Sequence, residues 1–264
     1  MSEAAPPAAG SLERMVAVLV TGSVPAAAPP GVEPAAFGRA LVSDTADLVA
    51  GLEIVTPAVA VTPAGEAALG GHPVEELVWP GTRVLRLPGA GDCARPEGVS
   101  DGAPGSGAAE GAAGLAAGAA EGAQGLAART LGELAGIGAG QAAVLAADAP
   151  DLPPLLIGKL LRALGSQPRG QIALCPAEGG GLVALAAWLP APGWLAGVHT
   201  GPGSELDVDD IAERLDGAAP RRGAVRTGPG WRRIRSAADV ARLDPGLEGW
   251  DATRDLLFAR HPRR

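Results

Sequence analysis

The sequence predicts a three-layer α/β protein built on a mainly parallel central sheet, and three observations carry that prediction. Apolar runs such as Met15–Thr21 (MVAVLVT) have the continuous, β-branched hydrophobicity of strands buried on both faces. Segments with apolar residues at helical spacing alternate with these runs, the βαβ pattern of a parallel sheet covered by helices on both sides. At 264 residues, 47% hydrophobic and 19% charged, the chain can bury roughly 70–75% of its unfolded surface.

The elements follow in order. Residues 1–13 read as a flexible leader and 14–264 as one domain, whose first strand, Met15–Thr21, ends at Gly22. Phe37, Leu41, Leu48 and Leu52 are spaced like one helical face between Pro34 and Gly51. Ile54–Val61 and Thr82–Leu87 are the next strands, with turns or a short helix between them. From Gly89 to about Gln124 the composition shifts to Gly, Ala, Asp and Ser, and EGAAGLAA at Glu110–Ala117 recurs as EGAQGLAA at Glu121–Ala128. Frequent glycine raises the entropy cost of order, so 98–118 is expected to be a mobile insertion, followed by a helix from Gln124 to Leu134.

The second half alternates more plainly. Gln141–Ala147 is a strand, Asp148–Asp151 its exit loop and Leu155–Leu164 a helix, with Pro153 and Pro154 confined to the first turn because further in they break backbone bonds. Gln171–Cys175 and Leu182–Leu189 are strands joined by the turn Pro176–Gly181 (PAEGGG). Ser236 and Asp239 have capping-box spacing for a helix through Leu243, and Leu247–Arg260 forms a closing helix.

Composition excludes several classes. With 21 basic and 29 acidic residues the net charge is −8, the wrong sign for a protein that neutralises many phosphates, so nucleic acid is not an expected partner. Cys93 and Cys175 are too few and too far apart for a disulfide framework or a cysteine zinc site. The first residues resemble neither a signal peptide nor a membrane span, which places the chain in the cytoplasm. A single lysine, Lys159, against 20 arginines, with no Tyr or Asn, reflects GC-rich coding. Alanine abundance therefore carries little structural meaning.

Asp148 and Asp151 fall at the C-terminal end of a parallel strand, where open α/β sheets gather ligands. Asp151 reads best as the N-cap of the following helix, while ligand and structural roles stay open for Asp148. Gly179, Gly180 and Gly181 suit a tight hairpin, or the close approach of a ligand to backbone. Arg221 to Arg235 holds six arginines and no acid, opposite six acids and one arginine in Glu205–Asp216. Such blocks are usually a solvated face with internal pairing, although guanidinium forks also bind oxyanions. Trp188 and Trp194 read as core or lid residues and Cys175 as a small buried hydrophobe.

The loop motifs resemble a known family. VLAADAPDLPPLLIGKLLRAL, Val144–Leu164, and CPAEGGGLVAL, Cys175–Leu185, are similar to the Asp-Cys-Pro-Asp-Leu loop and Gly-Pro-Ala-Glu-Asp-Gly-Gly-Tyr turn of the bacterial radical-SAM/selenodomain-associated transferases. Those are glycosyltransferase-like proteins of the nucleotide-diphospho-sugar transferase superfamily, with the GT-A fold. The likeness extends more weakly over Met15–Pro25, Gln124–Arg129 and Trp231–Leu243. It implies transfer of a glycosyl group from a nucleotide sugar, or of a nucleotidyl group from a triphosphate, with Mg or Mn held by carboxylates from two loops. It also implies a nucleotide site that includes Asp148, Asp151, Glu178, Gly180 and Gly181, with His199 at the cleft or incidental to it.

This chain departs from that pattern where the chemistry lies. The family's cations after the first strand are absent from Ser23–Gly31; its Asp and Tyr in the glycine turn become Gly179 and Leu182. Its Asp-Val-Asp-Thr becomes Arg233-Ile234-Arg235-Ser236. The alignment sets Arg235 opposite Asp148, the only candidate metal ligand left, so no metal and no other cofactor is expected unless the family mechanism survives. The resulting expectation is a glycosyltransferase-like protein with an eroded phosphate and metal site and weak or no catalysis. Its rivals are a non-catalytic binding or scaffold protein on the same fold, and a nucleotidyltransferase or metal-independent phosphate-anion binder using Arg233 and Arg235. A nucleotide or nucleotide sugar is the expected partner; nothing in the sequence fixes the oligomeric state.

Overall fold

The computed structural model describes residues 13–89, 125–166, 170–198, 203–244 and 246–258. The expected insertion at 98–118, His199 and all of the leader except Glu13 lie outside them. Seven strands, β1 (Arg14–Val20), β2 (Thr56–Val61), β3 (Arg83–Arg86), β4 (Gln141–Ala146), β5 (Ile172–Pro176), β6 (Leu182–Trp188) and β7 (Val225–Thr227), form one sheet in the order β3-β2-β1-β4-β6-β5-β7. Every pair is parallel except those made by β6, which runs antiparallel to both β4 and β5. The helices are α1 (Pro34–Ala50), α2 (Pro63–Ala68), α3 (Leu126–Gly136), α4 (Pro154–Ala163), α5 (Ile211–Ala218), α6 (Ala237–Val240) and α7 (Asp251–Phe258).

Side-chain alternation along β1 makes the three layers. Val16, Val18 and Val20 join one apolar cluster with Phe37 and Leu41 of α1 and Ile157 and Leu160 of α4. Met15, Ala17 and Leu19 join a second with Leu131 and Leu134 of α3 and Ile211 and Leu215 of α5. Because β6 reverses direction, the 177–181 turn lies at the same sheet edge as the loop leaving β4. The residues after β7 run past that edge too, where Trp231 bridges Ala177. Asp148 and the three glycines therefore share one edge, as the βαβ reading requires.

The helix starts show what was legible locally. Glu33 caps α1 through the amides of Ala35 and Ala36, and Ser236 and Asp239 form the expected capping box on α6. That helix stops at Val240 rather than Leu243, and the closing helix starts at Asp251 rather than Leu247. Two other starts are capped from far along the chain. The Glu205 carboxylate accepts the amides of Ala127 and Ala128 at α3 (2.7 and 3.0 Å), and the Asp44 carboxylate accepts those of Ala252 and Thr253 at α7 (both 2.8 Å). A carboxylate at a helix N-terminus satisfies orphan amides and meets the positive end of the dipole.

Burial pushes the Asp44 carboxyl above its ordinary value, and the like charge of Asp47 adds to the rise, against the opposing pull of its amide donors. A raised folded-state pKa means that Asp44 contributes most below the ordinary value of 3.8 and that this contribution is lost as pH rises through the higher folded value. Urea unfolding of wild type and Asp44→Asn from pH 3 upward is expected to show wild type losing stability relative to the variant as pH rises. Parallel profiles contradict it.

Candidate functional site

The site forms where the β4–α4 loop meets the strand-like segment 231–235. Asp148 is placed by its own backbone, whose carbonyl accepts the amide of Ile234 at 2.7 Å. Its carboxylate accepts Nε (2.6 Å) and Nη2 (2.9 Å) of Arg233. Arg233 Nη2 also donates to Asp207 Oδ1 at 2.7 Å, and Nη1 donates to the carbonyls of Leu206 (2.8 Å) and Leu182 (3.1 Å). A guanidinium has five N–H donors, and here each has an oxygen. The side chains of Arg233 and Asp148 are 5% and 6% exposed. Although burial opposes it, the charges and hydrogen bonds of Asp148 and Asp207 hold the Arg233 pKa above its ordinary value.

This corrects two expectations. The partner of Asp148 is Arg233, not Arg235, because the Ile234–Asp148 backbone bond sets the register and brings the earlier arginine onto the carboxylate. Asp148 is also not the only acid there: two carboxylates, Asp148 and Asp207, and two carbonyls surround the position, a cage that holds a guanidinium. Among the described residues no group of three or more His, Cys, Asp or Glu side chains could hold a metal ion. A divalent cation needs those same carboxylate oxygens, so these residues do not fit one.

Arg235 lies one layer further out. Its Nη1 donates to the Gly180 carbonyl (2.9 Å) and its Nη2 to that of Leu206 (3.2 Å), with the carboxylates of Asp207 and Asp209 at 4.0 and 3.9 Å. Its side chain is 29% exposed, and burial, then the charge of Arg233, lowers its pKa. The glycine turn makes room for it: Gly179, Gly180 and Gly181 all have positive φ. A Cβ on Gly181 would stand 2.5 Å from the Leu206 oxygen and 2.6 Å from Arg235 Nη2. The close approach offered as an alternative to a plain turn is thus made by the protein's own arginine.

Asp151 is not the N-cap of α4. That place belongs to Pro153, and the buried Asp151 carboxylate accepts Trp231 Nε1 (3.1 Å), Arg232 Nε (2.7 Å) and Arg232 Nη2. Glu178 stands outside the cage, in an exposed pair with Arg242 at 2.5 Å, the kind of contact worth about 0–1 kcal/mol. The solvated-face reading of the arginine block describes Arg221, Arg222 and Arg226, which are exposed; Arg232, Arg233 and Arg235 turn inward. Ser23, in the loop after β1, reaches the cage through Asp207 at 3.4 Å. Trp188 and Cys175 are core residues, and burial pushes the Cys175 thiol up to about 11. Trp194 is partly buried against the second cluster. Sequence reasoning missed Asp207 and the Leu182 and Leu206 carbonyls; the charge of the acidic run Glu205–Asp216 pointed toward Asp207 alone.

The sheet order, with β6 antiparallel in an otherwise parallel sheet, is that of a nucleotide-diphospho-sugar transferase-like α/β fold. One solved structure agrees. A protein of Desulfovibrio desulfuricans G20 with the provisional name nucleotide-diphospho-sugar transferase is 16% identical, with a TM-score of 0.54 over 92% of this chain and 94% of that one. An Rv0371c homologue from Mycobacterium sp. strain JC1 is 14% identical (TM-score 0.49, 92% and 98% covered), and a Methanothermobacter nucleotidyl transferase 15% identical (0.44, 88% and 96%). No protein-family model and no curated protein matches the sequence. No helix among the described residues is long and apolar enough to cross a membrane.

Proposed function

We propose that this chain is a glycosyltransferase-like protein of the nucleotide-diphospho-sugar transferase superfamily, of the radical-SAM/selenodomain-associated kind, that has exchanged metal-dependent transfer for metal-independent binding. Catalysis is weak or absent, and the ligand is a nucleotide or nucleotide sugar met in the cytoplasm. The observation that carries this reading is the five-donor seating of Arg233 between Asp148 and Asp207. A fixed guanidinium supplies positive charge where a divalent cation would draw on the same oxygens, but it offers no open coordination position. Arg235 favours the phosphate-anion form of this reading. It keeps part of its side chain in solvent, and its hydrogen-bond partners are carbonyls rather than carboxylates.

Thermal unfolding with nucleoside triphosphates and nucleotide sugars, each with and without Mn²⁺ or Mg²⁺, tests the proposal. Upward shifts by a nucleotide or nucleotide sugar are expected to be the same in metal and in chelator. A ligand at one hundred times its Kd adds roughly 2.7 kcal/mol, well within reach of a melting curve. A stabilisation that requires metal overturns the reading, and no stabilisation by any ligand supports the scaffold alternative.

A further inference from the structure

A second concavity, of about 800 Å³, lies beside the cage and shares none of its residues. Leu48 of α1, Leu152 and Pro153 of the β4–α4 loop, Trp231 and Leu247 give it apolar walls. A smaller recess of about 230 Å³ bordered by Trp79 shares Asp47 with it. Trp79 is 61% exposed and Leu247 39%; Leu155, 63% exposed, directly follows the groove residue Pro154. Exposed apolar side chains gathered about a charged groove are candidates for an interaction site.

The charge on this groove is mostly negative. Asp44, Asp47, Asp151, Glu248 and Asp251 line it, against the single cation Arg254. Asp44 and Asp151 are held by protein donors inside the fold, which leaves Asp47, Glu248 and Asp251 on the rim. Asp47 accepts the Trp79 indole at 2.6 Å, and Asp251 pairs with Arg254 at 2.8 Å. Glu248 is exposed and has no partner among the described residues. Partial desolvation, and to a smaller degree the like charge of Asp251, raise the Asp47 pKa against the pull of the Trp79 indole, and a cation placed between the two carboxylates relieves their repulsion.

We infer that this groove docks a basic, apolar peptide segment of a partner protein, with arginine or lysine side chains on Asp47, Glu248 and Asp251 and aliphatic ones against Leu48, Leu247 and Trp231. Charge complementarity selects this occupant, because a second copy of a chain with net charge −8 approaches the acidic rim against long-range repulsion.

The test uses the full chain and two fluorescein-labelled probes, (Leu-Arg-Ala)₄ and (Leu-Glu-Ala)₄, followed by anisotropy. The basic probe is expected to bind saturably and more weakly as salt rises, and the acidic probe not to bind. The double variant Asp47→Lys/Glu248→Lys changes two exposed positions and is expected to bind the basic probe at least about tenfold more weakly. Leu247→Ser, which leaves the charge intact, is expected to weaken the same probe. Equal binding of the basic probe by wild type and the double variant overturns the inference, as does the absence of saturable binding by wild type. So does a sedimentation result showing a dimer that the same substitutions dissociate, since the groove would then belong to a second copy.

Discussion

Arg233→Ala is expected to lower the unfolding free energy by about 3–5 kcal/mol, the cost of leaving a buried charge without its partner. The variant strands the Asp148 carboxylate, which is 6% exposed, and removes the donors to the Leu182 and Leu206 carbonyls. Against a typical total of about 5–15 kcal/mol, that is a large fraction of the stability. Arg233→Lys keeps the charge but has three donors for five oxygens, so it is expected to fall between wild type and alanine. Urea unfolding measures all three; a loss below about 1 kcal/mol for alanine would mean that the cage contributes little beyond a surface pair. Arg233→Asp asks the complementary question. In chelator it sets a third carboxylate beside Asp148 and Asp207 and is expected to be the least stable variant, and Mn²⁺ is expected to raise its melting temperature while leaving wild type unchanged.

Gly181→Ala is the second substitution with a large expected effect, and Gly179→Ala is its internal control. Both glycines have positive φ, 85° at Gly179 and 75° at Gly181, so both substitutions carry the left-handed penalty of about 1–2 kcal/mol. At Gly179 a Cβ meets nothing within 4 Å, whereas at Gly181 it stands 2.5 Å from the Leu206 oxygen. That oxygen accepts from both Arg233 and Arg235, so moving it disturbs the whole cage. Gly181→Ala is therefore expected to cost clearly more than Gly179→Ala in the same unfolding experiment. Equal losses would show that the turn is decoupled from the arginines.

What was legible in the sequence was what local chemistry decides. Pro34 and Gly51 bracket α1, the prolines at 153 and 154 open α4, and Ser236 and Asp239 cap α6, because each signal acts within one turn of the backbone it controls. β7 escaped because three residues, Val225–Thr227, are too few to show a period. α5 was read only as part of an acidic block. The site was half legible: Asp148 and the glycine turn stand in recognisable loops, but the choice between Arg233 and Arg235 depends on one backbone hydrogen bond between residues 148 and 234. Asp151 misled for the same reason, since a cap is a local guess and its actual partners, Trp231 and Arg232, are about 80 residues away. Long-range pairing of charges is invisible to spacing.

The 85-residue separation between Asp148 and Arg233 has a consequence for biosynthesis. At synthesis rates of about 5–20 residues per second, roughly 4–17 s pass between the addition of the carboxylate and the addition of its cation. During that interval the nascent chain holds Asp148, and later Asp207, with no guanidinium to neutralise them, so those carboxylates must stay hydrated and the sheet edge must stay open. The amides that Asp44 receives come later still, 208 and 209 residues along the chain. A ribosome that stalls between residues 207 and 233 therefore carries a polypeptide with the acidic half of its centre and none of the counter-charge.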